Sequence, residues 1–233
     1  MKNKKLETDL IRARLEALKV RMNPHLIANA LTSIRGLVSK KENDAAYDYL
    51  TALAELIRTT FKNAEKDFIS LSSEISYLTN YLEIEQLRFG DKLSFQMVIP
   101  EKMNTSDIMV PQMLIQPFIE NAINHGIKHL LKDGVITFGL ESDGKLLRCI
   151  IEDNGVGRIK SREIEMQSIS SQTSESDKIN RERIFLLNKL FNSSVFTIQI
   201  IDLEHENKQP AGTRVIIQLP LLDISGWNAI LKN

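Results

Sequence analysis

With 42% of its 233 residues apolar and 26% charged, the chain can bury a full core and carry one large domain or two small ones. Thirty basic residues balance thirty acidic ones, so no global field draws it to nucleic acid or to a membrane surface. The single cysteine, Cys149, excludes an intrachain disulfide and a cysteine-based zinc site, and its apolar setting, LLRCII, reads as a buried thiol in a reducing compartment. No window holds the roughly 18 apolar residues of a membrane span, and MKNKKLETDL is too polar for a signal peptide. The sequence therefore reads as cytoplasmic, or as a cytoplasmic piece of something longer.

In chain order, Leu6, Leu10, Ile11, Leu15, Leu18 and Met22 recur at spacings of three and four, the seam of an amphipathic helix or short coiled coil. The pattern resumes after Pro24 with Leu26, Ala30, Ile34 and Leu37. It breaks at KKEND and returns in a second helix with Tyr47, Leu50, Leu53, Ile57 and Phe61. Two helices with one apolar stripe each close a poor core alone, so residues 1 to about 62 are expected to pair with a second copy as a four-helix bundle. After KNAEKDF a third helix carries Leu71, Ile75, Leu78, Leu82 and Phe89, and Gly90 and Asp91 stop it.

The texture then changes. LSFQMVI, GVITFGL, LLRCIIE, VFTIQIID and TRVIIQL read as strands, residues 111–130 as a helix, and ESDG as a tight hairpin turn. Strands with helices on one side predict a two-layer α+β domain over about 66–222. The serine-rich QSISSQTSESD reads as a mobile loop.

Three stretches carry candidate chemistry. In QPFIENAINHG, Ile115, Phe118, Ile119, Ala122 and Ile123 form the buried stripe, which leaves Asn121, Asn124 and His125 on the other face. Oxygen donors there suit a hard cation such as Mg²⁺, although the segment alone reads more readily as a plain polar face ended by Gly126. IIEDNGVGR runs a strand into an acceptor carboxylate and two glycines, the chemistry needed to receive an exocyclic amine with backbone close by. PAGTRVIIQLP brings Gly-Thr into a last strand. Each stretch alone also reads as an ordinary turn.

Their order and spacing, with NPHLIAN and YLEIEQLRFGDKLSF, resemble the LytS/YehU-type sensor histidine kinases over about residues 15–220. The phosphorylated-histidine motif is matched by Asn23, Pro24, His25 and Asn29. The magnesium-helix motif is matched by Pro111, Gln116, Pro117, Glu120, Asn121, Ala122, His125 and Gly126, the adenine turn by Asp153, Asn154, Gly155 and Gly157, and the final Gly-Thr by Gly212 and Thr213.

The resemblance implies an α+β chain: dimerisation and phosphotransfer helices over 1–65, a two-layer ATP-binding domain of the gyrase/Hsp90/MutL type over 66–222, and an unassigned tail over 223–233. It implies autophosphorylation of His25 from ATP and Mg²⁺, then transfer to an aspartate of a response regulator receiver domain, within a homodimer that makes no direct nucleic-acid contact. Any membrane attachment is expected through a sensor region outside this sequence. By the same resemblance Asn29 orients the imidazole or a water, and Asn121 holds the metal. Glu120, Asn124, His125, Asp153, Gly155, Gly157, Arg183, Gly212 and Thr213 complete the cofactor site. Pro24 either bends one long helix or begins a new one, and both expose the ring.

Departures are also plain. Leu26 and Ala28 replace frequent aromatics, Asn124 stands where lysine is common, and no glycine occurs between Arg158 and Ala211, where many members carry a glycine-rich nucleotide lid. The alternative reading is an inactive homologue that binds a response regulator as scaffold or phosphatase.

Overall fold

The computed structural model describes residues 10–11, 13–15, 24–63, 66–131, 133–167 and 173–231. The side chains at 24–26, 165–167, 173–177 and 228–231 stay outside the described residues. Helices α1 (Pro24–Ser39) and α2 (Asn43–Asn63) form the expected hairpin. Between them Lys41 takes φ 63°, the Glu42 N–H donates to Leu37 O at 3.0 Å and the Lys41 N–H to Val38 O at 3.0 Å, which satisfies the last carbonyls of α1 in a Schellman end. Pro24 is the first described residue of α1, with His25 in its first turn. The imidazole and residues 16–23, on which the reading of a bend depends, lie outside the described residues.

Ala30, Tyr49, Leu53 and Leu56 bury into the hairpin and the body of the molecule, whereas Ile27, Leu31, Val38, Tyr47, Leu50 and Phe61 stay exposed. Of the N-terminal seam, Ile11 and Leu15 meet Leu186, Ile179 and Leu190, Arg14 pairs with Glu182, and Leu10 is exposed.

Helix α3 (Leu71–Phe89) starts where Ser70 accepts the Ser73 N–H at 3.2 Å and ends at Gly90, φ 61°. A three-residue strand before it, β1 (Phe68–Ser70), pairs antiparallel with β3 (Met109–Pro111), and neither was expected because three residues are too short to alternate visibly. The five expected strands are present: β2 (Leu93–Val98), β4 (Gly134–Ser142), β5 (Leu146–Asp153), β6 (Thr197–Glu204) and β7 (Pro210–Pro220). They form one sheet in the order β2-β4-β5-β7-β6, with β2 and β4 parallel and the other pairs antiparallel.

The helix expected over 111–130 is broken into pieces. Pro111 closes β3, residues 112–115 turn with Met113 at φ 56°, and α4 (Gln116–Asn121) runs into a π-helical turn at Ala122–Gly126 and a 3₁₀ turn at Ile127–His129. Helices α5 (Arg158–Gln167) and α6 (Thr173–Leu190) come after β5. The serine-rich stretch is therefore not wholly a loop. From Thr173 it is helical, and its Thr-Ser-Glu-Ser-Asp run supplies the residue types that favour a helix start. Residues 168–172 lie outside the described residues.

The tail forms α7 (Ile224–Leu231), and Trp227 closes an aromatic cluster. It is fully buried, stacks on Phe68 at 4.3 Å and donates Nε1–H to Met109 O at 2.9 Å. One contiguous core runs from Ala30 and Tyr49 through α3, α4 and the inner face of the sheet to Trp227. The fold is thus the expected α+β arrangement of a helical hairpin and a two-layer body. Cys149 is buried in that layer, and burial raises its thiol pKa. No helix among the described residues is long and apolar enough to cross a membrane.

Candidate functional site

Strand alternation builds the site. Along β5, Leu147, Cys149, Ile151 and Asp153 are buried in turn, and along β7 so are Leu219, Ile217, Val215 and Thr213. A period of two carries each inward series to one polar residue at its end, and the antiparallel register sets Asp153 opposite Thr213.

Asp153 is 5% exposed, and its Oδ1 accepts the Gly155 N–H at 2.8 Å. Burial pushes its pKa up to about 6, against the lowering effect of the Gly155 and Thr213 N–H groups, while Glu152 raises it slightly. The carboxylate keeps a second oxygen able to receive a donor.

Backbone packs tightly around it. A Cβ on Gly126 would stand 2.8 Å from Asp153 Oδ1, one on Gly155 would overlap the Gly126 backbone, and one on Gly212 (φ 124°) would overlap the Asp153 carbonyl. The Val156 N–H donates to Gly126 O at 3.3 Å, which fastens the Asp-Asn-Gly turn to the end of the π turn. Gly157, φ 77°, continues that turn. Asn154 pins it from the other side: its Oδ1 accepts the Val135 N–H at 2.7 Å and its Nδ2 donates to Asp133 O at 3.2 Å.

Asn121, Asn124 and His125 are all half-buried. The sequence spacing assumed an α-helical face, but the wider π turn spreads these three over a broader arc, and such turns recur at functional sites. Gln116 Nε2 donates to Glu120 Oε1 at 2.6 Å. Burial pushes the Glu120 pKa up to about 7; the Gln116 bond opposes this and the nearby Glu85 adds to it.

Arg183 does not join this group. It is 3% exposed, its Nη2 donates to Gln112 O at 2.6 Å, and its Nη1 donates to Met113 O. Both groups face the start of α4 rather than the Asp153 turn. Asn29 is half-buried on α1, one turn beyond His25, whose side chain is outside the described residues.

Two acids escaped the sequence reading. Glu74 and Glu85 are 2% and 1% exposed, and burial pushes each pKa up to about 7 against lowering by Arg183 and by Arg88, respectively. Their signal was present, since both sit on the apolar stripe of α3, in line with Leu71, Leu78 and Leu82.

The assembled groups can do two things. A buried carboxylate beside close-packed glycine backbone can receive an amine-bearing ring, and the half-buried Asn121 and Asn124 carry carboxamide oxygens of the kind a hard cation takes.

The family model for histidine kinases matches residues 13–93. The chain is 34% identical over 146 residues to the sensor histidine kinase YpdA of Escherichia coli (strain K12), an alignment covering 63% of this chain and 25% of that protein. It is 31% identical over 179 residues to the sensor protein LytS of Staphylococcus haemolyticus (strain JCSC1435), covering 75% of this chain and 30% of that one. Among solved structures, the histidine kinase domain of the Erythrobacter litoralis EL346 blue-light activated histidine kinase aligns over 97% of this chain and 98% of that chain, at 18% identity and a TM-score of 0.46. The chain spans about a quarter to a third of the length of the curated relatives it matches. By these sequence matches it belongs to the LytS/YehU-type sensor histidine kinases.

Proposed function

We propose that the chain is the kinase core of a two-component sensor, transferring the γ-phosphoryl group of ATP to a ring nitrogen of His25 and then to an aspartate of a response regulator receiver domain. The observation that supports this most is the pairing of buried Asp153 with Thr213 at the sheet end, against the π turn that follows Asn121. Asp153 would accept the adenine amino group, and Thr213 would hold a water beside it. Gly155, Gly157 and Gly212 would keep backbone close to the nucleotide.

Asn121 would hold Mg²⁺, which when bound supplies charge neutralisation for the phosphates, and Glu120 and Asn124 would belong to the cofactor site. His125 would line the same turn. The neutral His25 imidazole is a competent nucleophile near pH 7, and Asn29 would orient it or a water.

Residues 1–65 would form the dimerising unit, 66–222 the nucleotide-binding unit, and 223–233 a closing segment of the latter. A cytoplasmic setting behind a membrane sensor fits relatives about two and a half times as long as this chain.

Incubation with γ-labelled ATP and Mg²⁺ tests the reading. Acid-labile, base-stable label on the wild type, absent from His25→Gln and Asn121→Ala, is the expected result. Nucleotide binding without any label would leave the scaffold or phosphatase reading instead, which the glycine-free stretch between Arg158 and Ala211 favours.

A further inference from the structure

Residues 112–115 lead into α4, and two buried ionisable side chains, Arg183 and Glu74, lie against them. The Arg183 guanidinium takes the carbonyls, donating to Gln112 O and Met113 O. The Glu74 carboxylate faces the backbone N–H groups of Met113, Ile115 and Gln116, and it lies close enough to Arg183 for the two charges to interact. Both side chains are nearly inaccessible, at 3% and 2% exposed. Met113 is held at φ 56°, a conformation that a non-glycine residue adopts only when its surroundings impose it.

The turn opens the helical segment that starts at Gln116 and passes through Asn121 into the π turn. Asn121 lies six residues beyond the 112–115 turn, so where the segment starts bears on where Asn121 stands.

We infer that Arg183 is a positioning residue: with Glu74 it fixes the turn from which the Asn121 helix starts, and so ties the proposed metal ligand to helix α6. The inference rests on the nucleotide-site reading for its consequence, since Arg183 then acts on Mg-ATP through Asn121 and not by touching phosphate. Lysine cannot replace it, because one ammonium does not span two carbonyls as the planar fork does.

Removing Arg183 alone leaves a buried carboxylate without its cation and invites unfolding, so the test uses the charge-free pair Glu74→Gln/Arg183→Met beside Arg183→Lys. Two readouts are taken: the amide shifts of Asn121 and Asn124 without nucleotide, and affinity for a fluorescent ATP analogue in Mg²⁺ and in EDTA. The expected result is displaced amide shifts in both variants and an affinity loss of about tenfold in Mg²⁺ but almost none in EDTA, the mark of a group acting through a metal ligand. Equal losses in the two buffers with unmoved shifts would make Arg183 a direct phosphate contact and overturn the inference. Unmoved shifts with unchanged affinity would reduce it to a packing residue. Should the wild type take up no Mg-ATP, the kinase reading fails, while the amide shifts still decide whether Arg183 places Asn121.

Discussion

Asp153 is a carboxylate held where a carboxylate is costly. Its pKa stands at about 6 in the folded chain against 3.8 for the free side chain, so burial outweighs the two backbone N–H groups that stabilise the anion. Because the folded value is the raised one, the associated stability is complete below about pH 4 and is lost as pH rises through about 6. At neutral pH the lost term is about 3 kcal/mol, by 1.36 kcal/mol per pKa unit.

Asp153→Asn removes that term. The variant should be more stable than the wild type by about 1–3 kcal/mol in urea unfolding at pH 8, with the difference vanishing near pH 4. Its adenine nucleotide affinity should fall about 10–100-fold, because the carboxamide oxygen is held by the Gly155 N–H and the remaining NH₂ meets the adenine amino group donor to donor. A stability difference that does not change with pH would show that the Asp153 charge carries no such cost. The three other raised carboxyls, Glu74, Glu85 and Glu120, titrate in both proteins and drop out of the comparison.

Among the elements, those with long periods could be read from sequence and those set by distant partners could not. The five strands alternate over six to eleven residues each, and the same alternation fixed Asp153 and Thr213 as inward-facing. The turn at 112–115, the π turn and the pairing of β1 with β3 depend on contacts such as Arg183 with Met113, seventy residues apart, which no local pattern encodes. For the same reason a motif match set Arg183 beside the nucleotide although its guanidinium is engaged elsewhere.

Local signals do identify Lys41. It is exposed and sits at the left-handed position of the Schellman end of α1, so Lys41→Gly should raise stability by about 0.5–1 kcal/mol, seen as a higher urea midpoint at unchanged slope. At α7 the expectation is reversed. Trp227→Ala empties a fully buried indole site and orphans Met109 O, and should cost about 3–5 kcal/mol. Trp227 is the one tryptophan, so unfolding of this variant is followed by circular dichroism rather than intrinsic fluorescence.

At the scale of the whole molecule, the core is continuous from hairpin to tail, yet the hairpin keeps an apolar face outside it. Ile27, Leu31 and Val38 on α1 and Tyr47, Leu50 and Phe61 on α2 are all exposed, spaced so that each set lies along one side of its helix. Of the described residues of the N-terminal seam, Ile11 and Leu15 are already engaged with Leu186. Among the described residues, the hairpin face is thus an apolar surface open to a second copy.

Charge placed there should act on assembly and not on folding. Leu31→Glu/Tyr47→Glu puts two carboxylates into the face while leaving Ala30, Leu53 and Leu56 untouched, so the double variant should sediment as a monomer where the wild type sediments as a dimer. Its circular dichroism and its affinity for Mg-ATP should match the wild type, because neither substituted side chain belongs to the buried core that orients the Asp153 turn. A double variant that still sediments as a dimer would move the interface off this face, and a wild type that is monomeric at micromolar concentration would leave the apolar stripe without the partner proposed for it.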